Sequence, residues 1–141
     1  MNNPKILLAF DFGKKRIGVA VGQTVTQTAR PLVTIAAKDG TPDWQTVTPL
    51  IKKWQPDALI VGIPLNMDGT DQPLTDDARA FAKHLKDQYN LPVFEMDERL
   101  TTKDARERLF NEGGYKALQS GQIDQVAAQI ILQNWFAENI K

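Results

Sequence analysis

The sequence predicts an α/β domain in which helices flank a mixed β-sheet. Two observations carry this prediction. Three strand-like segments lead the chain, with hairpin chemistry between the first two, and helical and strand-like segments alternate after them. The chain has 141 residues, of which 42% are hydrophobic and 24% charged, as in an average globular protein. We therefore expect residues 1–141 to form a single domain that folds without disulfides or structural metal ions.

The leading strands are predicted from short apolar runs and the turn residues between them. An apolar run at residues 6–10 precedes turn residues at 13–15, and apolar residues then alternate with small ones at 17–22. This pattern predicts a β-hairpin. A third strand is predicted at residues 31–35.

The middle of the chain predicts two helices around a buried strand. Thr41 followed by Pro42 is a helix-start signal, and apolar residues recur at helical spacing until about residue 54. Residues 58–63 are apolar without alternation, as expected of a central strand covered on both faces. Apolar residues at 74–88 trace one face of a second helix.

The last part of the chain predicts one more strand and two more helices. The strand is expected at residues 93–96, so the predicted sheet has five strands. Thr101 to Asp104 has the pattern of a helix start, and Gly113-Gly114 ends that helix. The final helix is predicted from about Asp124, where apolar residues again recur at helical spacing.

Charge and cysteine content exclude several classes of protein. The chain has no cysteine, no apolar run long enough to span a membrane and no signal-peptide pattern at its start, which fits a cytoplasmic protein. Its formal net charge is zero, which argues against nucleic-acid binding by bulk charge alone. Residues 1–53 nevertheless carry eight Lys or Arg and three Asp, a surplus of five positive charges.

Four acidic residues lie next to apolar segments, where a carboxylate is unfavourable for folding. Asp11 ends an apolar strand, Asp97 and Glu98 follow the last strand, and Asp124 begins a mostly apolar helix. A carboxylate in such a place needs a compensating charge. Acids at two strand ends and on a closing helix can converge on one point, and a carboxylate cluster is the oxygen-rich ligand set that Mg²⁺ or Mn²⁺ requires.

Each of these acids also has a structural interpretation. Asp11 could accept hydrogen bonds from turn amides, the Asp97-Glu98-Arg99 segment could be a solvated loop with local ion pairs, and Asp124 could cap its helix. From the residues alone both interpretations stay open.

Other reactive or aromatic residues favour structural roles. Gly13, Gly18 and Gly22 match no phosphate-binding loop and favour a hairpin turn and close helix packing. His84, the only histidine, lies among charged residues and is expected to be solvated. Core packing is expected for the tryptophans, which are Trp44, Trp54 and Trp135.

Four segments taken together carry a resemblance to a known family. They are DFGKKRIGVAV at residues 11–21, VGIPLNMDG at 61–69, DERLTT at 97–102 and IDQVAA at 123–128. In order and spacing they closely resemble the YqgF family, also called RuvX-like, of ribonuclease-H-like nucleases. The match runs nearly end to end, and Gln23 and Gln125 stand where many members have Asp and Ser.

The resemblance implies a fold, a location and a function. The fold would be ribonuclease-H-like, with the mixed five-stranded sheet predicted above, and the location bacterial cytoplasm. The implied function is a nuclease that matures the 5′ end of precursor 16S ribosomal RNA in ribosome biogenesis, with ribosomal precursor particles as partners. Some members are instead described as Holliday-junction resolvases in DNA recombination and repair.

The resemblance also implies a site. The metal-binding and catalytic acids would be Asp11, Glu98 and Asp124, with Asp97 as a substitute for Glu98, and two Mg²⁺ or Mn²⁺ ions would bind with the substrate. The candidate phosphate contacts are Lys14, Lys15, Arg16 and Arg99.

Alternative functions belong to two other classes. A ribosome-assembly or RNA-binding factor could keep the fold with little catalysis. An actin-like phosphotransferase would need a second lobe that about 140 residues cannot supply. We expect no membrane association, and the sequence leaves monomer and homodimer open, although symmetric cutting of a branched DNA junction would favour a two-fold dimer.

Overall fold

The computed structural model describes residues 5–99, 111 and 122–140, which form six strands and three helices. In chain order they are β1 (Ile6–Asp11), β2 (Arg16–Gln23), β3 (Thr28–Lys38), β4 (Thr41–Pro42), α1 (Trp44–Trp54), β5 (Ala58–Ile63), α2 (Pro73–Tyr89), β6 (Val93–Asp97) and α3 (Gln122–Asn139). The helix predicted from Thr101 to Gly113-Gly114 lies outside the described residues except for Asn111, which is helical. None of the described helices combines the length and apolar character needed to cross a membrane.

The strands form one mixed sheet in the order β4-β3-β2-β1-β5-β6. Strands β1 to β4 pair antiparallel with one another, whereas β5 is parallel to both β1 and β6. The predicted hairpin is therefore confirmed, as is the burial of residues 58–63 on both faces, but β5 lies second from the β6 edge, and β2 and β1 are the central strands. Strand β1 lies between an antiparallel neighbour, β2, and a parallel neighbour, β5. Its carboxyl end therefore lies beside the start of β2 and the end of β5, so three chain segments come together where these strands end.

The sheet has one strand more than the five expected, and the difference arises at Thr41-Pro42. These two residues form β4, which pairs antiparallel with the end of β3, instead of starting a helix. Helix α1 starts at Trp44 because Asp43 is its N-cap, with the Asp43 carboxylate accepting a hydrogen bond from the Gln45 backbone N–H. A capping hydroxyl and a proline also suit a short edge strand, where the missing N–H costs no ladder hydrogen bond.

Hydrophobic residues cover the two faces of the sheet separately. Alternate residues of β1 point to opposite faces, so Leu8 and Phe10 pack under α1 and α2, whereas Leu7 and Ala9 pack under α3. Both sets are at most 1% exposed. By the same alternation, the side chain of Asp11 belongs to the α3 face.

The tryptophans and the histidine behave as predicted. Trp44, Trp54 and Trp135 are half-buried and pack against the hydrophobic clusters. His84 is exposed on α2 and stacks on Trp44 with ring centroids 4.3 Å apart.

Candidate active site at the carboxyl end of the central strands

Asp11 occupies the centre of the candidate site, at the carboxyl end of β1. Its register partners on the two neighbouring strands are both glycines, Gly18 on β2 and Gly62 on β5. Glycines on both sides leave the α3 face of the sheet without side chains around Asp11. The sequence therefore creates a recess at the one position of β1 that carries a charge.

Glu98 fills the recess on the β5 side. Its backbone N–H donates to Ile63 O at 3.2 Å, which extends the pairing of β5 with β6 by one residue. A Cβ built on Gly62 would collide with Cδ1 of Ile131 and lie 2.6 Å from Oε2 of Glu98, so the glycine leaves the space that both side chains occupy. The Asp11 and Glu98 carboxyl groups share a side-chain hydrogen bond.

Asp124 closes the recess on the β2 side. A Cβ on Gly18 would collide with the backbone of Asp124, and would lie 2.8 Å from its Cβ, so α3 approaches β2 as closely as a glycine permits. Asp124 acts electrostatically on Asp11, and its side chain is 21% exposed. Its carboxylate accepts a hydrogen bond from Nε of Arg16 at 3.0 Å.

Asp11 and Glu98 are both half-buried, and the pair holds a proton at neutral pH. Burial, followed by the negative charge of Asp11 and the hydrogen bond between them, raises the pKa of Glu98 to about 10. Burial raises the pKa of Asp11 to about 6, and the hydrogen bond from Glu98 opposes that shift while the charge of Asp124 adds to it. The directions agree with Glu98 as the protonated donor and Asp11 as the acceptor.

Asp97 has a different environment from Glu98. Its carboxylate accepts hydrogen bonds from the Arg99 backbone at 3.0 Å and from the Arg99 guanidinium, with Nη2 at 2.6 Å. The hydrogen bonds from Arg99 lower the pKa of Asp97. Arg99 also donates to Met67 O at 3.1 Å. Of Asp97, the last residue of β6, and Glu98, which follows it, the one that contacts Asp11 is Glu98.

Some of the predicted phosphate contacts form ion pairs with described acidic residues, and Lys15 does not. Lys14, Lys15 and Arg16 are exposed at the turn that follows Asp11. Lys14 lies 3.7 Å from a carboxylate oxygen of Asp77 on α2. Lys15 forms no ion pair with any described residue, whereas Arg16 is held by Asp124.

Two glutamines fix the position of α3, and the sequence analysis assigned them no such role. Gln125 donates from its side chain to the Thr34 hydroxyl at 3.0 Å, and one turn later Gln129 donates to Ala29 O at 2.9 Å. Both bonds tie α3 to β3 and so determine where Asp124 lies along the sheet. Their spacing of four residues places them on one helix face, which was the only signal in the sequence.

Asp11, Glu98 and Asp124 carry carboxylate oxygens, which are the ligands that hard divalent cations prefer. Oε2 of Glu98 is buried and has no hydrogen-bond partner in the described part of the chain, which leaves an oxygen ligand unused beside Asp11. In the arrangement described, with Asp124 turned to Arg16, no three His, Asp or Glu side chains among residues 5–99, 111 and 122–140 form a group spaced as metal ligands. The chemistry of the Asp11 and Glu98 carboxyl groups fits a cation, whereas the Asp124 carboxylate is held by Arg16 in this arrangement.

Comparison with known proteins gives relatives over almost the whole chain. The family model described as "RuvX: Holliday junction resolvase" matches residues 5–138. A Yersinia enterocolitica protein named "Putative pre-16S rRNA nuclease" is 55% identical over 134 residues, covering 95% of this chain and 96% of that protein. An Escherichia coli O157:H7 protein of the same name is 58% identical over 132 residues, covering 94% of this chain and 96% of that protein.

Solved structures share the fold at much lower sequence identity. The structure titled "T. thermophilus RuvC in complex with Holliday junction substrate" has a TM-score of 0.58 and 17% identity, covering 95% of this chain and 94% of that one. At this identity the likeness concerns the fold alone. The expected ribonuclease-H-like α/β fold is confirmed.

Proposed function

We propose, from the premise that this chain belongs to the RuvX family, that it is a metal-dependent nuclease that hydrolyses phosphodiester bonds in structured nucleic acid. Family membership confirms the resemblance carried by the four sequence segments. The observation that supports the chemistry is the half-buried, hydrogen-bonded Asp11–Glu98 pair beside Asp124, with one buried glutamate oxygen that has no hydrogen-bond partner among the described residues. We take residues 1–141 as one catalytic unit.

The ligands of this proposal are Asp11, Glu98 and Asp124, which would hold Mg²⁺ or Mn²⁺, with two ions expected when substrate is bound. Such ions, when bound, supply Lewis acidity and neutralise charge on the phosphodiester. Glu98 must give up its proton and Asp124 must leave Arg16 before all three carboxylates are available. Ion binding is therefore coupled to proton release.

The neighbouring cations would orient the nucleic-acid backbone. Release of Asp124 leaves the guanidinium of Arg16 free to donate to a phosphate next to the acids. Lys14 and Lys15 add two further positive charges along the hairpin turn. Arg99 lies on the Glu98 side, where Asp97 and Met67 O hold its guanidinium in one orientation.

The proposed substrate is the 5′ region of precursor 16S ribosomal RNA, in the cytoplasm and within ribosomal precursor particles. The names of the relatives above 50% identity favour this substrate. The description of the family model favours a second candidate, the four-way DNA junction. A monomer suffices for one cut in RNA, whereas symmetric junction cutting needs a homodimer with two sites.

Cleavage assays with both substrates test the proposal. The precursor RNA and a four-way junction are incubated side by side with Mg²⁺, with Mn²⁺ and with chelator. We expect metal-dependent cleavage of the RNA that is lost in chelator and in the Asp11→Asn variant. Asp39→Asn is the matched control, because Asp39 is an exposed turn residue with a positive φ of 52° that Asn tolerates.

Three outcomes would change the proposal. Cleavage of the junction alone would replace the RNA substrate by DNA. Cleavage that persists in chelator would contradict the metal-dependent mechanism. Binding of both nucleic acids without cleavage under any condition would favour the assembly-factor alternative.

A further inference from the structure

The positive charges of the first 53 residues separate into two groups. Lys14, Lys15 and Arg16 lie at the turn beside Asp11, and Lys38 ends β3 near that turn, where Ala37 N–H donates to Lys15 O. The remaining four cations do not lie there. They surround the opposite end of the sheet, where β1 begins and β2 ends.

The second group is defined here as the distal basic surface, consisting of Lys5, Arg30, Lys52 and Lys53. Lys5 precedes β1, and its backbone exchanges hydrogen bonds of 3.0 Å with Thr24 just beyond β2. Arg30 pairs with Val21 near the end of β2, and the two lysines lie in the last turn of α1. All four residues are exposed, and none of their side chains forms an ion pair with another described residue.

Trp54 holds two of these cations in place. The guanidinium of Arg30 lies 5.2 Å from the centre of the indole ring, and the ammonium of Lys53 lies 5.7 Å from it. Both distances are within the range of cation–π attraction. The contacts with one ring hold Arg30 and Lys53 next to each other.

An acidic residue at this end of the sheet, Asp57, does not neutralise the surface. Asp57 lies next to the start of β1, and its carboxylate accepts the backbone N–H of Ile6 at 2.9 Å. One carboxylate so engaged leaves four cations with a surplus of three charges. An unneutralised cluster at fixed positions is the feature that a polyanion recognises.

We propose that the distal basic surface is a second contact for the phosphate backbone of the nucleic acid that the candidate active site cuts. This inference rests on the proposed function, and it adds that the substrate extends well beyond the cut. Arg30 and Lys53, fixed on Trp54, would contribute the specific contacts, and Lys5 and Lys52 would widen the positive field.

The separation of the two groups sets a minimum length for the substrate. Arg30 lies opposite Val21, and Arg16 and Val21 are five steps apart on β2, or roughly 17 Å at about 3.3 Å per residue. Because Arg30 stacks on Trp54 of α1 whereas Asp11 belongs to the α3 face, a nucleic acid that contacts both must also pass around the sheet, and at about 3.4 Å per base-pair step it must continue for more than about five steps beyond the cut. A shorter substrate cannot reach the distal basic surface.

Binding measurements with short and long substrates test this proposal. The variant is Arg30→Gln combined with Lys53→Gln, and the control is Lys86→Gln, an exposed lysine in the last turn of α2 without an ion pair to any described residue. Affinity is measured in chelator by fluorescence anisotropy over a range of salt concentrations, with duplex arms of about four and about fourteen base pairs beyond the cut. Thermal melts verify that each variant is folded.

For the long arm we expect the slope of log affinity against log salt to become shallower by about two, because two phosphate contacts are lost. The slope for the short arm should match that of the wild type. Equal slopes for variant and wild type on both arms would overturn the proposal, as would an equal loss on both. If the wild type bound and cut nucleic acid but showed no arm-length effect, only this inference would fail, whereas absence of wild-type binding would contradict the proposed function.

Discussion

At the scale of single residues, the proposed chemistry depends most directly on Asp11. Its side chain lies between two glycine positions and receives the proton of Glu98 in a hydrogen bond. Burial, with the charge of Asp124 adding to it, raises the pKa of this carboxyl, so the protein holds it there at a cost in stability. A carboxyl group whose pKa is raised by burial at the end of a strand is typical of a functional site.

Replacement of Asp11 by asparagine distinguishes a metal-binding role of this residue from a structural role. Asn keeps the size and hydrogen-bonding capacity of the side chain but removes the charge, so we expect cleavage to fall by at least about 10²-fold. The melting temperature should stay the same or rise, because the repulsion from Asp124 is relieved. Cleavage rates and thermal melts on the same preparations measure both effects.

A structural Asp11 gives the reverse pattern. The variant would then melt earlier, and its activity would follow the folded fraction. Wild-type cleavage by a well-folded Asp11→Asn protein would remove Asp11 from the catalytic site.

The shared proton of Glu98 predicts how stability depends on pH. The folded pKa of Glu98 is about 10 against 4.5 for a free glutamate, so between these values the folded chain binds more protons than the unfolded chain. Stability must therefore fall as the pH rises through this window. Asp11, with a pKa raised from 3.8 to about 6, contributes with the same sign over a narrower range.

Glu98→Gln tests that dependence, because the amide keeps the size of the side chain and cannot ionise. With chelator present, the melting temperature of the wild type should decline from pH 5 to pH 8 more steeply than that of the variant. Added Mn²⁺ should restore wild-type stability at pH 8, since a ligand of the folded state stabilises it. Parallel profiles of wild type and variant would contradict a buried, protonated Glu98.

The choice between Asp97 and Glu98 shows a limit of the sequence at this scale. Both acids follow the same strand, and either could serve as a ligand by spacing. The difference comes from tertiary contacts: Arg99 takes the Asp97 carboxylate, and the missing side chain at Gly62 opens the route for Glu98. Gly62 acquires this meaning only when β5 is known to lie beside β1.

At the scale of elements, the site depends on how closely α3 approaches the sheet. Gly18 and Gly22 lie on β2 under the helix, and the predicted role of these glycines in close helix packing is confirmed. The glutamine bonds to β3 prevent the helix from sliding along this contact. Asp124 is thus positioned by residues that carry no charge.

Gly18→Ala is expected to displace Asp124. The new Cβ would collide with the backbone of Asp124, which cannot rotate away as a side-chain tip can, so the start of α3 must move. We expect a lower melting temperature together with a loss of Mn²⁺ stabilisation and at least about tenfold slower cleavage, because misplacement by about 1 Å can cost a factor of 10². Melts with and without Mn²⁺ and cleavage per folded molecule measure these effects.

Gly22→Ala is the matched control on the same strand. Its Cβ would meet Thr28 O and the tips of Leu132 and Phe136, with Leu132 Cδ2 at 2.8 Å. It should therefore also lower stability while sparing Asp124. If both variants lost activity only in proportion to unfolding, the positioning role of Gly18 would be wrong.

The elements themselves were largely predictable where one pattern dominated. Helix α2 and strand β5 match their predictions within one residue of each boundary, because their apolar periodicity is long and unambiguous. Strand β3 extends well beyond the predicted residues 31–35, since its outer parts are exposed and lack an apolar pattern. Thr41-Pro42 was misassigned because the same two residues satisfy both a helix start and an edge strand.

At the scale of the whole molecule, zero net charge conceals two positive ends. The cations beside Asp11 and those of the distal basic surface lie at opposite ends of the same strands, and the acidic surplus belongs to the later part of the chain. Attraction of a polyanion must therefore come from local fields, which act over about a Debye length of 8–10 Å at physiological salt. Binding should respond to salt even though the protein as a whole is neutral.

Lys15 offers the simplest test of that local field at the catalytic end. Its ammonium forms no ion pair with any described residue, so its replacement by glutamine removes one potential phosphate contact without exposing a buried partner. We expect wild-type affinity to fall as salt is added, and the Lys15→Gln slope of log affinity against log salt to be shallower by about one. Anisotropy titrations on the same substrate measure both, with Lys86→Gln as the control for loss of net charge. Because both variants lower the net charge of the protein equally, an equal change in slope would mean that overall charge attracts the nucleic acid, whereas a change confined to Lys15→Gln would place the contact beside Asp11.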